Sequence, residues 1–168
     1  IQQQSIFLID DWCSRYDDKI KAKGDIGFLV TTLGSDGRVA FNIKGTSIHS
    51  NTALRQTNFA TQADAASSLG GIEVAKNRLV ITIGLETITR NPNAVAIVMA
   101  AGESNAHIIK NALESEMTTQ YPATALQRLE NSRFYLTKGA ASRLEDCINH
   151  YFFKEEWNFE KTERAIIG

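Results

Sequence analysis

Apolar residues recur along this chain in two rhythms. The first is a set of short continuous runs, Ile26-Gly27-Phe28-Leu29-Val30, then the β-branched stretch 78–84, then 94–101, then 133–137. Runs of this length bounded by Gly, Asn or Pro read as strands buried in a sheet. The second rhythm is helical. Residues 10–23 carry Trp12, Tyr16 and Ile20 four apart, with acids at the start, lysines at the end and Gly24 as a stop. The Ala-rich segment 58–68 predicts a helix ended by Leu69-Gly70-Gly71. Gly102 opens another to about Ser115, with Ala106, Ile108, Ile109 and Leu113 on its apolar side, and 123–129 and 140–153 complete the set. Between them lie a short extended piece at 39–42, a polar stretch over 43–57 and the turn Arg90-Asn91-Pro92-Asn93. Continuous apolar strands alternating with amphipathic helices predict an α/β fold, a mostly parallel sheet with helices on both faces. The strands near Ile26, Arg78, Ala94 and Arg133 are expected in that one sheet.

Composition narrows the class. With 168 residues, 43% hydrophobic and 22% charged, one globular domain over 1–168 is expected, ending in a charged tail over 154–168. Trp157, Phe159, Ile166 and Ile167 give that tail apolar anchors. Eighteen basic residues against nineteen acidic leave a net charge of −1, so bulk electrostatics recruit neither nucleic acid nor an anionic membrane. The two cysteines, Cys13 and Cys147, stand far apart and read as free thiols of a cytoplasmic protein. The longest apolar run is too short to span a bilayer, and no signal-peptide pattern is visible. His49, His107 and His150 lack ligand-like spacing, so neither a metal nor a cofactor is expected. The chain begins at Ile1, as a processed, trimmed or partial product would.

The densest chemistry follows the first apolar run, in Leu33-Gly34-Ser35-Asp36-Gly37-Arg38-Val39-Ala40-Phe41-Asn42. A strand that breaks into a Gly-Asp-Gly turn is one way open α/β sheets present polar groups at the carboxyl ends of their strands. Asp36-Gly37 is equally turn chemistry, Arg38 a salt-bridge partner or an anion contact, and Asn42 a loop-ordering amide or a sugar contact. Glu86 is either a functional carboxylate or a solvated one. Thr87, Gly102 and Ser104 offer hydroxyl or backbone donors near helix starts, a plausible seat for an anion.

Three blocks carry a resemblance. Cys13-Ser14-Arg15-Tyr16-Asp17-Asp18-Lys19-Ile20, the Gly-Ser-Asp-Gly-Arg-Val-Ala-Phe-Asn loop and Ile81-Thr82-Ile83-Gly84-Leu85-Glu86-Thr87 resemble successive segments of the glucosamine-6-phosphate deaminase (isomerase) family. In that family they read roughly C-R-x-Y-E-x-K-I, G-x-D-G-H-I-A-F-N-E-P-G and L-T-V-G-V-G-T. Gly102-Glu103-Ser104-Asn105 continues the likeness where the family has G-S-Q-K, and Asp64-Ala65-Ala66-Ser67 is similar to a stretch of a longer bacterial branch. The resemblance implies a three-layer α/β sandwich whose N-terminal half this chain lacks. It also implies a carbohydrate chemistry, opening of the glucosamine 6-phosphate ring, proton transfer from C2 to C1 and release of ammonia, an isomerase and hydrolase type of reaction.

Residue by residue, that chemistry is depleted here. Asp36 matches the acidic loop residue and is the one catalytic candidate. Arg38 stands where the family has its catalytic histidine, and a guanidinium of pKa above about 12 cannot shuttle a proton at neutral pH. Ile43 stands in the place of the glutamate that assists that histidine, and Lys44 replaces the following proline. Ser67 and Asn105 stand near a phosphate-contacting arginine and lysine, and Ala53 replaces an arginine of the allosteric phosphate site, while Arg55 keeps a cation near it. The expectation is a diverged family member that lacks the full catalytic machinery and binds a sugar phosphate or another anion through Arg38, Asn42, Glu86, Thr87, Gly102 and Ser104. Two alternatives stay open: an active isomerase or deaminase completed by an N-terminal segment or partner chain, and a structural or regulatory module. The family usually assembles, so a homo-oligomer is expected.

Overall fold

A computed structural model describes residues 3–145, apart from residue 77. The expected tail over 154–168, Cys147, His150 and most of the predicted last helix lie outside the described residues; 138–143 form hydrogen-bonded turns.

Helix α1 (Gln3–Ala22) begins seven residues before the predicted start, because nothing in Gln3–Ile9 caps or breaks it. It presents Cys13 and Asp17 to the interior and leaves Phe7, Leu8 and Trp12 exposed, with Trp12 stacked on Tyr16 at 5.2 Å. Strand β1 (Phe28–Thr32) follows, then β2 (Ala53–Gln56), α2 (Phe59–Leu69), α3 (Ile72–Ala75), β3 (Leu79–Thr82), α4 (Leu85–Thr89), β4 (Val95–Ala100), α5 (Ala106–Glu114) and β5 (Asn131–Leu136). Two 3₁₀ segments, Glu103–Asn105 and Pro122–Arg128, lead into α5 and β5; the second replaces the α-helix predicted over 123–129.

The chain is mixed α/β, with a parallel sheet ordered β1-β4-β5 and helices packed against it. One prediction is corrected. Strand β3 does not join that sheet; it pairs antiparallel with β2, Ala53 opposite Thr82 and Gln56 opposite Leu79. The β-branched run at 78–84 specifies an extended strand but not its partner, and the partner sits inside the 43–57 stretch, whose polar composition hides a four-residue strand. α4 was likewise masked by the turn residues after it.

Parallel register places Leu29, Ala96, Val98 and Phe134 on one side of the sheet and Phe28, Val30, Ile97, Met99 and Tyr135 on the other. The first side is the core. Ala96 and Val98 are fully buried against Ile109 and Ala112 of α5, Leu85 and Ile88 of α4, and Ala123, Ala125 and Leu126 of the second 3₁₀ segment. So many alanines let the covering backbone approach the strands closely. The opposite side stays open among the described residues, with Phe28 59% and Val30 52% exposed. No helix among the described residues is long and apolar enough to cross a membrane.

Candidate functional site

The loop after β1 folds on itself before it reaches any ligand. Gly34 N–H donates to the Arg38 carbonyl (3.1 Å) and Gly37 N–H to the Gly34 carbonyl (2.9 Å). Gly37 turns at φ +79°, a left-handed value that disfavours any residue with a Cβ, and a Cβ on Gly34 would collide with the Arg38 side chain. Arg38 therefore lies flat over Gly34, its side chain only 12% exposed.

Two carboxylates hold it there. Arg38 Nη1 donates to Asp36 Oδ1 at 2.9 Å and Nη2 to Asp64 Oδ2 at 2.8 Å. Asp36 Oδ2 accepts from Asn58 Nδ2 at 2.6 Å, and Asn58 Oδ1 accepts from Thr61 N–H at 2.9 Å, capping α2. One asparagine thus joins the loop to the helix that carries Asp64. Burial works against the charge on Asp36, but the Asn58 amide and the Arg38 guanidinium outweigh it and hold the carboxyl below its usual range. Burial also opposes the charge on Arg38, and its bonds to Asp64 and Asp36 outweigh that, pushing its pKa up. The group at position 38 stays a cation.

Above this clamp opens a cavity of about 560 Å³ at the carboxyl ends of β1 and β4, within the size of small-molecule sites. Thr31, Thr32, Ser35, Ser104 and Asn105 supply its polar wall; Arg38 and Asp64 supply its charge, and Phe41 an apolar side. Ala40, next to Phe41, takes φ +52°, uncommon for a residue with a Cβ.

The other site candidates fall elsewhere. Asn42 is buried below the loop, where its Nδ2 donates to the Val39 and Ile83 carbonyls (3.1 and 2.7 Å) and its Oδ1 has no partner among the described residues. Thr87 is fully buried and donates to Asp17 Oδ1 at 3.0 Å. Gly102 turns at φ +85° and donates its N–H to Thr137 Oγ1, which sets Ser104 at the cavity wall. Glu86 lies in the first turn of α4, away from the cavity. It accepts from Arg128 Nη1 at 2.6 Å and faces His49 Nδ1 at 3.3 Å; the Arg128 hydrogen bond lowers its pKa against the opposing effect of burial.

Sequence reasoning passed over Asp64 and Asn58 as site residues. Asn58 had a readable signal, a side-chain acceptor just before an Ala-rich helix. It also passed over Asp17, whose buried carboxylate takes Thr52 N–H (2.8 Å), Thr52 Oγ1 (2.7 Å) and Thr87 Oγ1 and ties α1 to β2 and α4. The one signal that separates Asp17 from its neighbour Asp18 is the resemblance, in which Asp17 falls on the acidic position of C-R-x-Y-E-x-K-I. Among the described residues no group of three His, Cys, Asp or Glu could hold a metal ion.

The chain is similar to several known proteins. The glucosamine-6-phosphate deaminase of Beutenbergia cavernae is 32% identical over 148 residues, 86% of this chain and 56% of the relative. That of Cellvibrio japonicus is 32% identical over 152 residues, 90% and 56%. The chain spans about half the length of the curated relatives it matches, over their C-terminal part. A solved monomeric glucosamine-6-phosphate deaminase of the NagB superfamily superposes with a TM-score of 0.72 at 26% identity, over 79% of this chain and 54% of that one. A 6-phosphogluconolactonase from Leishmania guyanensis shares the fold at 15% identity, with a TM-score of 0.51 over 72% and 42%. No family model matches.

Proposed function

From its homology to the C-terminal part of the glucosamine-6-phosphate deaminases, which sets it in a family of sugar-phosphate metabolism, we propose that this chain is a sugar-binding member that does not carry out deamination with its own residues. One observation carries the reading: the side chain at the mouth of the cavity is Arg38, pinned by Asp36 and Asp64 and held in its charged form. Ring opening and proton transfer need a group that gains and loses a proton near neutral pH. A doubly paired guanidinium does neither, and Asp36, held below its usual range, is a weak base committed to Arg38 and Asn58. What remains is a polar cavity fit to hold a monosaccharide. Cys13, buried and free among the described residues, supports a cytoplasmic setting.

Two measurements test this. Ammonia release from glucosamine 6-phosphate should be undetectable, since loss of acid–base help costs about 10²–10⁴-fold per group; turnover at an ordinary enzymatic rate refutes the proposal. A thermal-shift series with hexoses, hexosamines and their phosphates should find a stabilising ligand, worth about 2.7 kcal/mol at 100 times its dissociation constant.

A second reading rests on the open side of the sheet. Phe28, Val30, Met99 and Tyr135 line a face that is uncovered among the described residues, and β1 leaves one edge unpaired there. In this reading a polypeptide equivalent to the relatives' N-terminal part seats on that face and completes an active enzyme. Ammonia release that appears only when such a polypeptide is added would favour it. The same surface, with Phe7, Leu8 and Trp12 of α1, supports self-association and the structural-module alternative; light scattering on the purified chain gives the mass that decides between monomer and homo-oligomer.

A further inference from the structure

Among the described residues two charged side chains line the cavity at the ends of β1 and β4, Arg38 and Asp64, and the guanidinium is the less accessible of the two, 12% exposed against 47%. Both terminal nitrogens of Arg38 are committed, one to Asp36 and one to Asp64. No other lysine, arginine or histidine among the described residues lines the space. With Arg38 counted against Asp36 and Asp64, the cluster keeps a residual charge of −1. That charge is available on Asp64, whose side chain is 47% exposed and lines the cavity.

The neutral groups lean the same way. An anion needs donors, and several donors here are already engaged: Thr31 Oγ1 on the Thr32 carbonyl (3.0 Å), Asn105 Nδ2 on the Ala101 carbonyl (2.9 Å) and Ser35 Oγ on Asp64 Oδ2 (3.4 Å). The 3₁₀ turn that borders the cavity also begins with Glu103, which opposes an anion at that helix start. A phosphate entering this space would meet an exposed carboxylate and, among the described residues, only a guanidinium already paired with two carboxylates.

We propose that the cavity takes a polyhydroxylated ligand that carries a positive charge and no phosphate, of which a free amino sugar is the simplest. Hydroxyls of such a ligand bond Ser104, Thr32 and the oxygen of Asn105, its apolar ring face meets Phe41, and its ammonium pairs with Asp64. This deepens the reading above and rests on it, since it presupposes that the cavity is the ligand site.

Isothermal titration of the intact chain with glucosamine, glucose and glucosamine 6-phosphate tests it. The pH is held near 6, below the ~7.7 of an α-amino group, so that the amine is charged. Glucosamine should bind at least about tenfold more tightly than its 6-phosphate and severalfold more tightly than glucose. Its advantage over glucose should fade as salt rises. In D64N that advantage should vanish while glucose binding persists; the salt series on the unaltered chain gives the same answer if D64N fails to fold. Tighter binding of glucosamine 6-phosphate than of glucosamine overturns this inference and leaves the sugar-site reading standing. Equal binding of glucosamine and glucose also overturns it, because Asp64 is then not read. No binding of any of the three overturns the sugar-site reading and this inference together.

Discussion

Removing the guanidinium at position 38 should reveal how much of the loop it holds. Arg38→Ala deletes two charge-assisted hydrogen bonds, at 2.9 Å to Asp36 and 2.8 Å to Asp64. Each such bond is worth about 1.5–3 kcal/mol when shielded from water. The Asp64 side chain is 47% exposed, so that arm is discounted to about 0.5 kcal/mol. Asp36 is only 15% exposed, and its arm keeps most of its worth. The loss at pH 7 is then about 2–3 kcal/mol, a large share of the 5–15 kcal/mol typical of a domain. With a urea m-value of about 2 kcal/mol/M the midpoint should fall by about 1 M. The pH dependence carries a second signature. In the native chain Asp36 is held below its usual range, so it contributes stability above its unfolded pKa of about 3.9 that is lost as pH falls through the lower folded value. Without Arg38, burial is less opposed and that contribution shrinks. The gap between native chain and variant is therefore widest near neutrality and closes below about pH 4. A gap under about 0.5 kcal/mol at pH 7, or one unchanged at pH 3, refutes the clamp.

Asp17→Ala should cost about 3–5 kcal/mol in urea unfolding, because it strands three donors on Thr52 and Thr87 around a site that is 4% exposed; a loss under about 1 kcal/mol would mean that α1 is not anchored through it. Gly84→Ala should destabilise by about 1–3 kcal/mol or more, since the new Cβ would collide with the Ser50 carbonyl, a backbone atom with little room to yield; an unchanged melting temperature would contradict the packing of α4 on that loop. Ala40→Gly should stabilise by about 0.5–1 kcal/mol by relieving the left-handed backbone at φ +52°; destabilisation would show that the methyl group packs against something that matters more.

Much of the fold could be read in the apolar pattern, for reasons visible in particular elements. β1, β4 and β5 sit within a residue or two of the predicted runs, because strands in a covered parallel sheet must be apolar almost throughout. α2 ends where Leu69-Gly70-Gly71 said it would, Gly70 adopting φ +87° at the cap. The partner of β3 was not legible: β2 is half-exposed and carries Arg55 and Gln56, so its periodicity does not stand out from loop. At the site, the Gly-Ser-Asp-Gly-Arg loop was conspicuous in the sequence, and the structure sets Arg38 and Ser104 at one cavity. It could not tell that Asp64, 26 residues on, would take the other end of Arg38. Pairing at that separation depends on where α2 is laid down, which no local pattern records.

Asn58 couples two parts of the molecule that would otherwise move apart. One end of its amide holds the first turn of α2, the other holds Asp36, and Asp64 on the same helix reaches back to Arg38. Loop and helix are consequently a single mechanical body with three tethers, and opening one end loads the others. A group that drew Asp64 away would not tug on one side chain alone; it would loosen the grip on Arg38 and shift load onto the helix cap. Displacing any one of these groups therefore loads the loop and the cap of α2 together.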